Sequence, residues 1–178
     1  MRGFFTALAL ATSVGTTPSF ALDLANAGAE TRAHLEFEIG VDLVDHQKYL
    51  DATPHLETAL KEFPDDTDIL KYLGFSHRMI ARNRTGTAHD AEIRIATTYY
   101  HRALDIEPNR EDFLEFMGEL YLEMDDPLAA SAKLAELERR CAQGCVQYDE
   151  LAASIASYRS ATPGQITTPG QLGPAPTE

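Results

Sequence analysis

Two cysteines, Cys141 and Cys145, are the residues of this chain best placed to do chemistry, because a thiol pair four residues apart can act as a unit. They sit in a segment reading Leu134, Leu137, Cys141, Gly144, Cys145, Tyr148 and Leu151. The apolar spacing ends one helix at Cys141 and opens another at Cys145. Gly144 between them can take the left-handed backbone that stops a helix. Two sulfurs then face each other across one tight corner. Three chemistries fit. A disulfide would staple the second helix to the first, and chain entropy for so short a loop gives about 2 kcal/mol. Two thiolates would instead suit a soft metal, copper(I) foremost, or a redox-active pair. Inert thiols complete the set. An even cysteine count in a chain that carries an export leader favours the disulfide. No methionine or histidine lies within several residues of the pair to complete a metal site.

The six histidines offer less. Asp42 and His46, Asp51 and His55, and His101 and Asp105 are each four apart, so each pair shares a helix face as a weak surface contact. No two histidines share a helix at that spacing and no H-E-x-x-H occurs. A nucleophile elbow, a Walker loop and a dinucleotide-binding glycine pattern are also missing. Ser76 has no base arranged beside it by spacing. The residues therefore point to a binding protein with no catalytic residues and no cofactor.

The first 21 residues have the order of a secretory leader. Arg2 gives the positive start, Phe4 to Ala11 the short apolar core, and Ser19 and Ala21 the small residues before a cut. The apolar run is too short to span a bilayer, and position 22 is leucine, which does not carry a lipoprotein anchor. The expectation is export to a bacterial periplasm as a protein that does not insert in the membrane. The net charge of −13, from 28 acids against 15 bases, opposes nucleic acid and anionic headgroups as partners. It favours basic ones.

What must position these residues is a repeat. Ala52, Leu56 and Ala59 precede Pro64 at the same offsets at which Ala96, Tyr100 and Ala103 precede Pro108. Ile39-Gly40, Leu73-Gly74 and Met117-Gly118 recur upstream of each, and Tyr121, Ala130, Leu134 and Leu137 continue the third register. Turn residues fall between them at Phe63-Pro64-Asp65-Asp66, Glu107-Pro108-Asn109 and Asp125-Asp126-Pro127, with Asp126 a helix N-cap and Pro127 the first helical residue. This pattern resembles the tetratricopeptide repeat (TPR), in which small residues on helix B let the neighbouring A helices approach. Leu137 and Ala142 depart from it, standing where the family has a small residue and a proline. The cysteine segment, C-x-x-G-C, is similar to one in exported bacterial TPR proteins.

The resemblance implies an all-α solenoid of helical hairpins: TPR 1 over 33–66, TPR 2 over 67–110 with a ten-residue insertion, and TPR 3 over 111–144. Residues 22–32 lead in after the leader at 1–21, residues 145–160 hold a capping helix centred on Gln147 to Tyr158, and the Pro/Gly/Thr-rich stretch 161–178 reads as a disordered tail. In the insertion, Asn83 and Gly86 suggest a turn, and Thr87 with Asp90 resembles a capping box that starts the second B helix early, near Ala88. Five arginines between residues 78 and 102 either pair with nearby acids or dock an acidic partner.

Carried over by residue, the ligand-contacting positions of helix A are His34, Phe37, Val41, Val44 and Asp45 in the first unit. The second gives Asp68, Lys71, Phe75, Arg78 and Met79, and the third Asp112, Glu115, Glu119, Leu122 and Glu123. The implied function is a scaffold that grips another protein or peptide in a concave groove running from an apolar end to an acidic one. A partner with apolar and basic residues would suit it, or the third unit's acids serve only solubility. A thiol-based copper carrier or redox factor, using Cys141 and Cys145, is the alternative.

Overall fold

The computed structural model describes the backbone of residues 19–141 and 144–162, with side chains from residue 27 onward. Residues 1–18, 142, 143 and 163–178 lie outside the described residues, and with them most of the leader expected at 1–21 and of the tail expected at 161–178. Those described form helices and no strand, so the protein is all-α. The helices are α1 (Ser19–Asp45), α2 (Tyr49–Glu62), α3 (Thr67–Ala81), α4 (Gly86–Ile106), α5 (Glu111–Glu123), α6 (Pro127–Arg140) and α7 (Val146–Ala161).

Short turns pair α1 with α2, α3 with α4 and α5 with α6, and each pair packs on the next through α2 on α3 and α4 on α5. The odd-numbered helices also touch in series, α1 on α3 and α3 on α5, and α7 packs on both α5 and α6. The small residues noted in the sequence sit at these joints. Ala52, Leu56 and Ala59 on α2, and Ala96, Tyr100 and Ala103 on α4, are all fully buried. A Cβ on Gly40 would lie 2.6 Å from Leu56, and one on Gly74 would run into the ring of Tyr100, with Cδ1 at 2.7 Å and Cζ at 2.9 Å. Each glycine is therefore the clearance that a large residue of the paired helix fills.

The third pair departs from this plan. Gly118 is filled by Leu151 of α7, 2.5 Å from where its Cβ would be, and not by Leu134 of α6. Leu134 is only half-buried, while Ala130, Leu137, Leu151 and Ile155 close the third core. Leu151 of the seventh helix thus stands where Leu56 of α2 and Tyr100 of α4 stand in the first two pairs.

Helix ends follow their residues. Asp66 caps α3 by accepting from the backbone N–H groups of Asp68 and Ile69, and Asp126 caps α6 through Ala129, with Pro127 opening the helix. Pro54 lies inside α2 and cannot donate to the Leu50 carbonyl. The Thr53 hydroxyl donates there at 3.2 Å. The second B helix does start early, but at Gly86, so Thr87 and Asp90 lie within it and form no capping box. The residue before it, Thr85, makes no side-chain cap. The lead-in at 22–32 is continuous with α1, and α7 is longer than its apolar spacing implied.

Cys141 and Cys145 are bonded to each other, with Cα atoms 5.6 Å apart. Cys141 is the C-cap of α6, Cys145 the N-cap of α7, and Gly144 has a φ of +88°. The bond ties α7 to α6 beside Leu134, Tyr148 and Tyr158.

Gly74→Ala is expected to destabilise the protein by about 1–3 kcal/mol, because Tyr100 is fully buried and its ring has nowhere to move. Nothing lies within 4 Å of a Cβ at Gly28, so Gly28→Ala should be neutral or stabilise α1 by up to about 1 kcal/mol. Urea unfolding of both variants separates the two. Equal midpoints would mean that Gly74 is not a packing contact.

Candidate functional site

The residues singled out on the odd-numbered helices fall into two groups in space. Val44 and Asp45 of α1, Lys71, Tyr72 and Phe75 of α3, and Asp112 and Phe116 of α5 surround one open depression of about 270 Å³. Val44, Tyr72, Phe75 and Phe116 give it apolar and aromatic surface among the charged Asp45, Lys71 and Asp112. Phe37 meets Tyr72 edge-on at 5.8 Å and Tyr49 of α2 meets Phe75 at 5.9 Å, so the rings are braced before any ligand arrives. The Lys71 ammonium lies 5.2 Å from the centre of the Tyr72 ring.

Charges at the rim are largely matched. Lys71 pairs with Asp68 at 3.1 Å, and Arg110 bridges Asp68 at 3.1 Å to Asp112 at 2.6 Å while lying over the Phe113 ring. The contact with Asp112 raises the Arg110 pKa above its ordinary value, against the opposing effect of burial. Asp68 would be raised by burial, but its hydrogen bonds to Lys71 and Arg110 outweigh that and hold it low. Asp45 is exposed and forms no ion pair among the described residues. Val41 is half-buried. His34 is exposed and packs on Phe63, with ring centres 4.7 Å apart.

The second group turns inward. Arg78 is only 3% exposed, and Met79, Glu115 and Leu122 are buried as well. Arg78 Nη1 meets Glu119 at 2.6 Å, its Nε donates to Glu123 at 2.9 Å, and Arg82 reaches the same Glu123 carboxylate at 2.6 Å. Glu119 also accepts from the Ser154 hydroxyl of α7 at 3.1 Å. Glu115 is pushed up to about 8 by burial first, then by the nearby carboxylates of Glu150 and Glu119. The acidic end expected of the groove is thus consumed by two arginines and by contacts to α7. These acids brace α3, α5 and α7, and the open part of the face is aromatic.

Tyr72, Phe116 and Tyr49 were not singled out by the sequence. Tyr72 and Phe116 occupy the same register position in the second and third units, two residues before the glycine. That aromatic recurrence was the available signal. Tyr49 opens α2 and had none.

The five arginines between residues 78 and 102 divide. Arg78, Arg82 and Arg102 meet carboxylates, the last at Asp65, while Arg84 and Arg94 form no ion pair among the described residues. His46 lies 3.5 Å from Asp42 as its spacing suggested. His55 turns to Glu36 on α1 at 2.6 Å and not to Asp51, because a partner across the helix interface is more sheltered than one along the surface. His77 meets Glu92 at 2.7 Å and stacks on Tyr99. Among the described residues no three His, Cys, Asp or Glu side chains are grouped to hold a metal, and no helix is long and apolar enough to cross a membrane.

No protein-family model matches the chain, and no curated protein matches it significantly.

Proposed function

We propose that this protein is an exported scaffold of the TPR type that holds an apolar segment of another protein across its odd-numbered helices. The observation that carries the reading is the convergence of Val44, Lys71 and Phe75 from two helices, with Asp112 and Phe116 from a third, on one depression. Three helices meeting at braced aromatic rings make a surface that can take a large side chain without reorganising. The buried small residues and the glycines that face Leu56 and Tyr100 support a TPR register for the first two pairs. The basic character first expected of the partner loses most of its support, since Glu115, Glu119 and Glu123 are engaged inside the protein. Asp45 is the acid left to meet a cation at the rim.

A photo-crosslinking residue placed at Phe75 should capture one defined protein in the periplasm, and adding Phe116→Ala should reduce the yield at least fivefold. The same probe at exposed Thr98 on α4 should capture nothing specific. Equal products from both positions would remove the depression as the site. The leader reading adds that the exported chain begins at Leu22. N-terminal sequencing checks this, and a secreted form that still carries Met1 would overturn it.

A further inference from the structure

A second cleft lies away from that depression, between the start of α2 and the end of α3. Its volume is about 280 Å³. Lys48, Tyr49, Leu50 and Asp51 form one side of it, and Ile80, Asn83 and Arg84 the other. The two cations of this cleft have no carboxylate partner, a condition they share with Arg32, Lys61, Arg94, Arg139 and Arg159 among the described residues. Arg78, Arg82, Arg102, Arg110 and Arg140 each meet a carboxylate. Lys48 and Arg84 meet none among the described residues, in a chain with 28 acids, although Asp51 lines the same cleft. The lining is therefore net positive by one, Lys48 and Arg84 against Asp51. The same lining holds apolar surface: Leu50 is 61% exposed, and Ile80 is buried beside it in the lining.

We infer that this cleft docks an acidic peptide segment of a partner protein, with carboxylates on Lys48 and Arg84 and an intervening apolar side chain on Leu50 and Ile80. Charge complementarity selects the occupant. In a molecule of net charge −13 a net-positive cleft that also carries exposed apolar surface is a place where an acidic segment meets less repulsion than over most of the chain. The amino terminus of α2, whose N-cap residue Lys48 offers no side-chain acceptor, adds partial positive charge there, offset in part by Asp51 in its first turn. The apolar strip then distinguishes a peptide from a bare anion. The inference does not rest on the aromatic depression, which shares with this cleft only the Tyr49 ring packed behind Phe75.

The test uses the mature protein and a fluorescein-labelled peptide, Gly-Ser-Glu-Leu-Glu-Gly-Ser, followed by anisotropy at 50 mM and 200 mM salt. Saturable binding that weakens with salt is expected. Lys48→Glu with Arg84→Glu should weaken it at least tenfold, and Leu50→Ser at least threefold. Phe116→Ala, at a residue that lines the aromatic depression and not this cleft, should leave it unchanged, so the fate of the aromatic site is read separately. Both charge-reversed positions are exposed, and circular dichroism checks that the fold survives. A peptide with lysine in place of glutamate should not bind. Equal affinity of the double variant, equal displacement by inorganic phosphate and by the unlabelled peptide, or binding of a single-stranded oligonucleotide in preference to the peptide would each overturn the inference.

Discussion

Arg78→Met is expected to destabilise the protein by about 3–5 kcal/mol, the usual cost of leaving one side of a buried ion pair without its partner. Arg78 is the hinge of a charge cluster between α3 and α5, with Glu119 at 2.6 Å and Glu123 at 2.9 Å. Burial alone would lower the guanidinium pKa, but Glu123 and Glu119 outweigh it and keep the group charged. Methionine fills similar volume and removes the cation, so two largely buried carboxylates are left facing each other, with only Arg82 on one of them. Neutralising them should restore what is lost. Arg78→Met combined with Glu119→Gln and Glu123→Gln is expected to recover at least half of the deficit in urea unfolding at pH 7. Arg78→Lys should recover less, because one ammonium cannot reach both carboxylates in the forked geometry of a guanidinium. A wild-type midpoint for Arg78→Met would show that the cluster contributes nothing to stability.

This cluster changes what the odd-helix face offers. A row of acids on one side of a helix reads as surface when only spacing is considered. Here α7 and the arginines of α3 cover it, and the same carboxylates that looked free for a partner fasten three helices together. Under the scaffold function we propose, specificity would reside in Phe75, Phe116 and the Val44 edge, whose contacts are apolar and insensitive to salt. The Lys48–Arg84 cleft would supply the salt-sensitive part of any recognition.

Much of the fold was legible because it depends on local rules. Alanine and glycine recurrence placed Ala52, Ala96, Gly40 and Gly74 at interhelical joints, and all are buried there. Asp126 before Pro127, and Gly144 between the cysteines, do what their backbone and side-chain chemistry permits. The errors share a different cause. Leu151 displacing Leu134 over Gly118, His55 choosing Glu36 over Asp51, and Arg78 drawing Glu119 and Glu123 inward are all long-range choices. Spacing along one helix lists the partners available on that helix and is silent on those across an interface. The candidate site was half legible for the same reason. Its A-helix residues follow from the register, but which remain open depends on how α5 meets α3 and α7.

Raising the pH from about 4.5 to about 8 is expected to loosen α7, because Glu115 must then ionise where the fold favours its neutral form. Glu115 as a residue is 7% exposed, and Glu150 on α7 and Glu119 on its own helix add like charge within reach, while Arg78 acts in the opposite sense. These causes lift it from an ordinary 4.5 to about 8. A group raised in the folded state binds its proton more tightly there than in the unfolded chain. The stabilisation is full below the ordinary value and is lost as pH climbs through the raised one. One pKa unit is worth about 1.4 kcal/mol, and since Glu150 is open to solvent we expect a realised loss on the order of 2 kcal/mol. Asp68 and Glu136 work in the other direction. Both are held low by neighbouring cations against the effect of burial, so they lose stability as pH falls below about 4. Maximum stability should therefore lie in mild acid. Thermal unfolding from pH 4 to pH 9 gives the profile, and Glu115→Gln isolates the carboxyl. The variant should unfold near the wild type at pH 4.5 and several degrees above it at pH 8. Parallel curves across the range would mean that Glu115 keeps an ordinary charge and that the α5–α7 contact is not the source of any pH dependence.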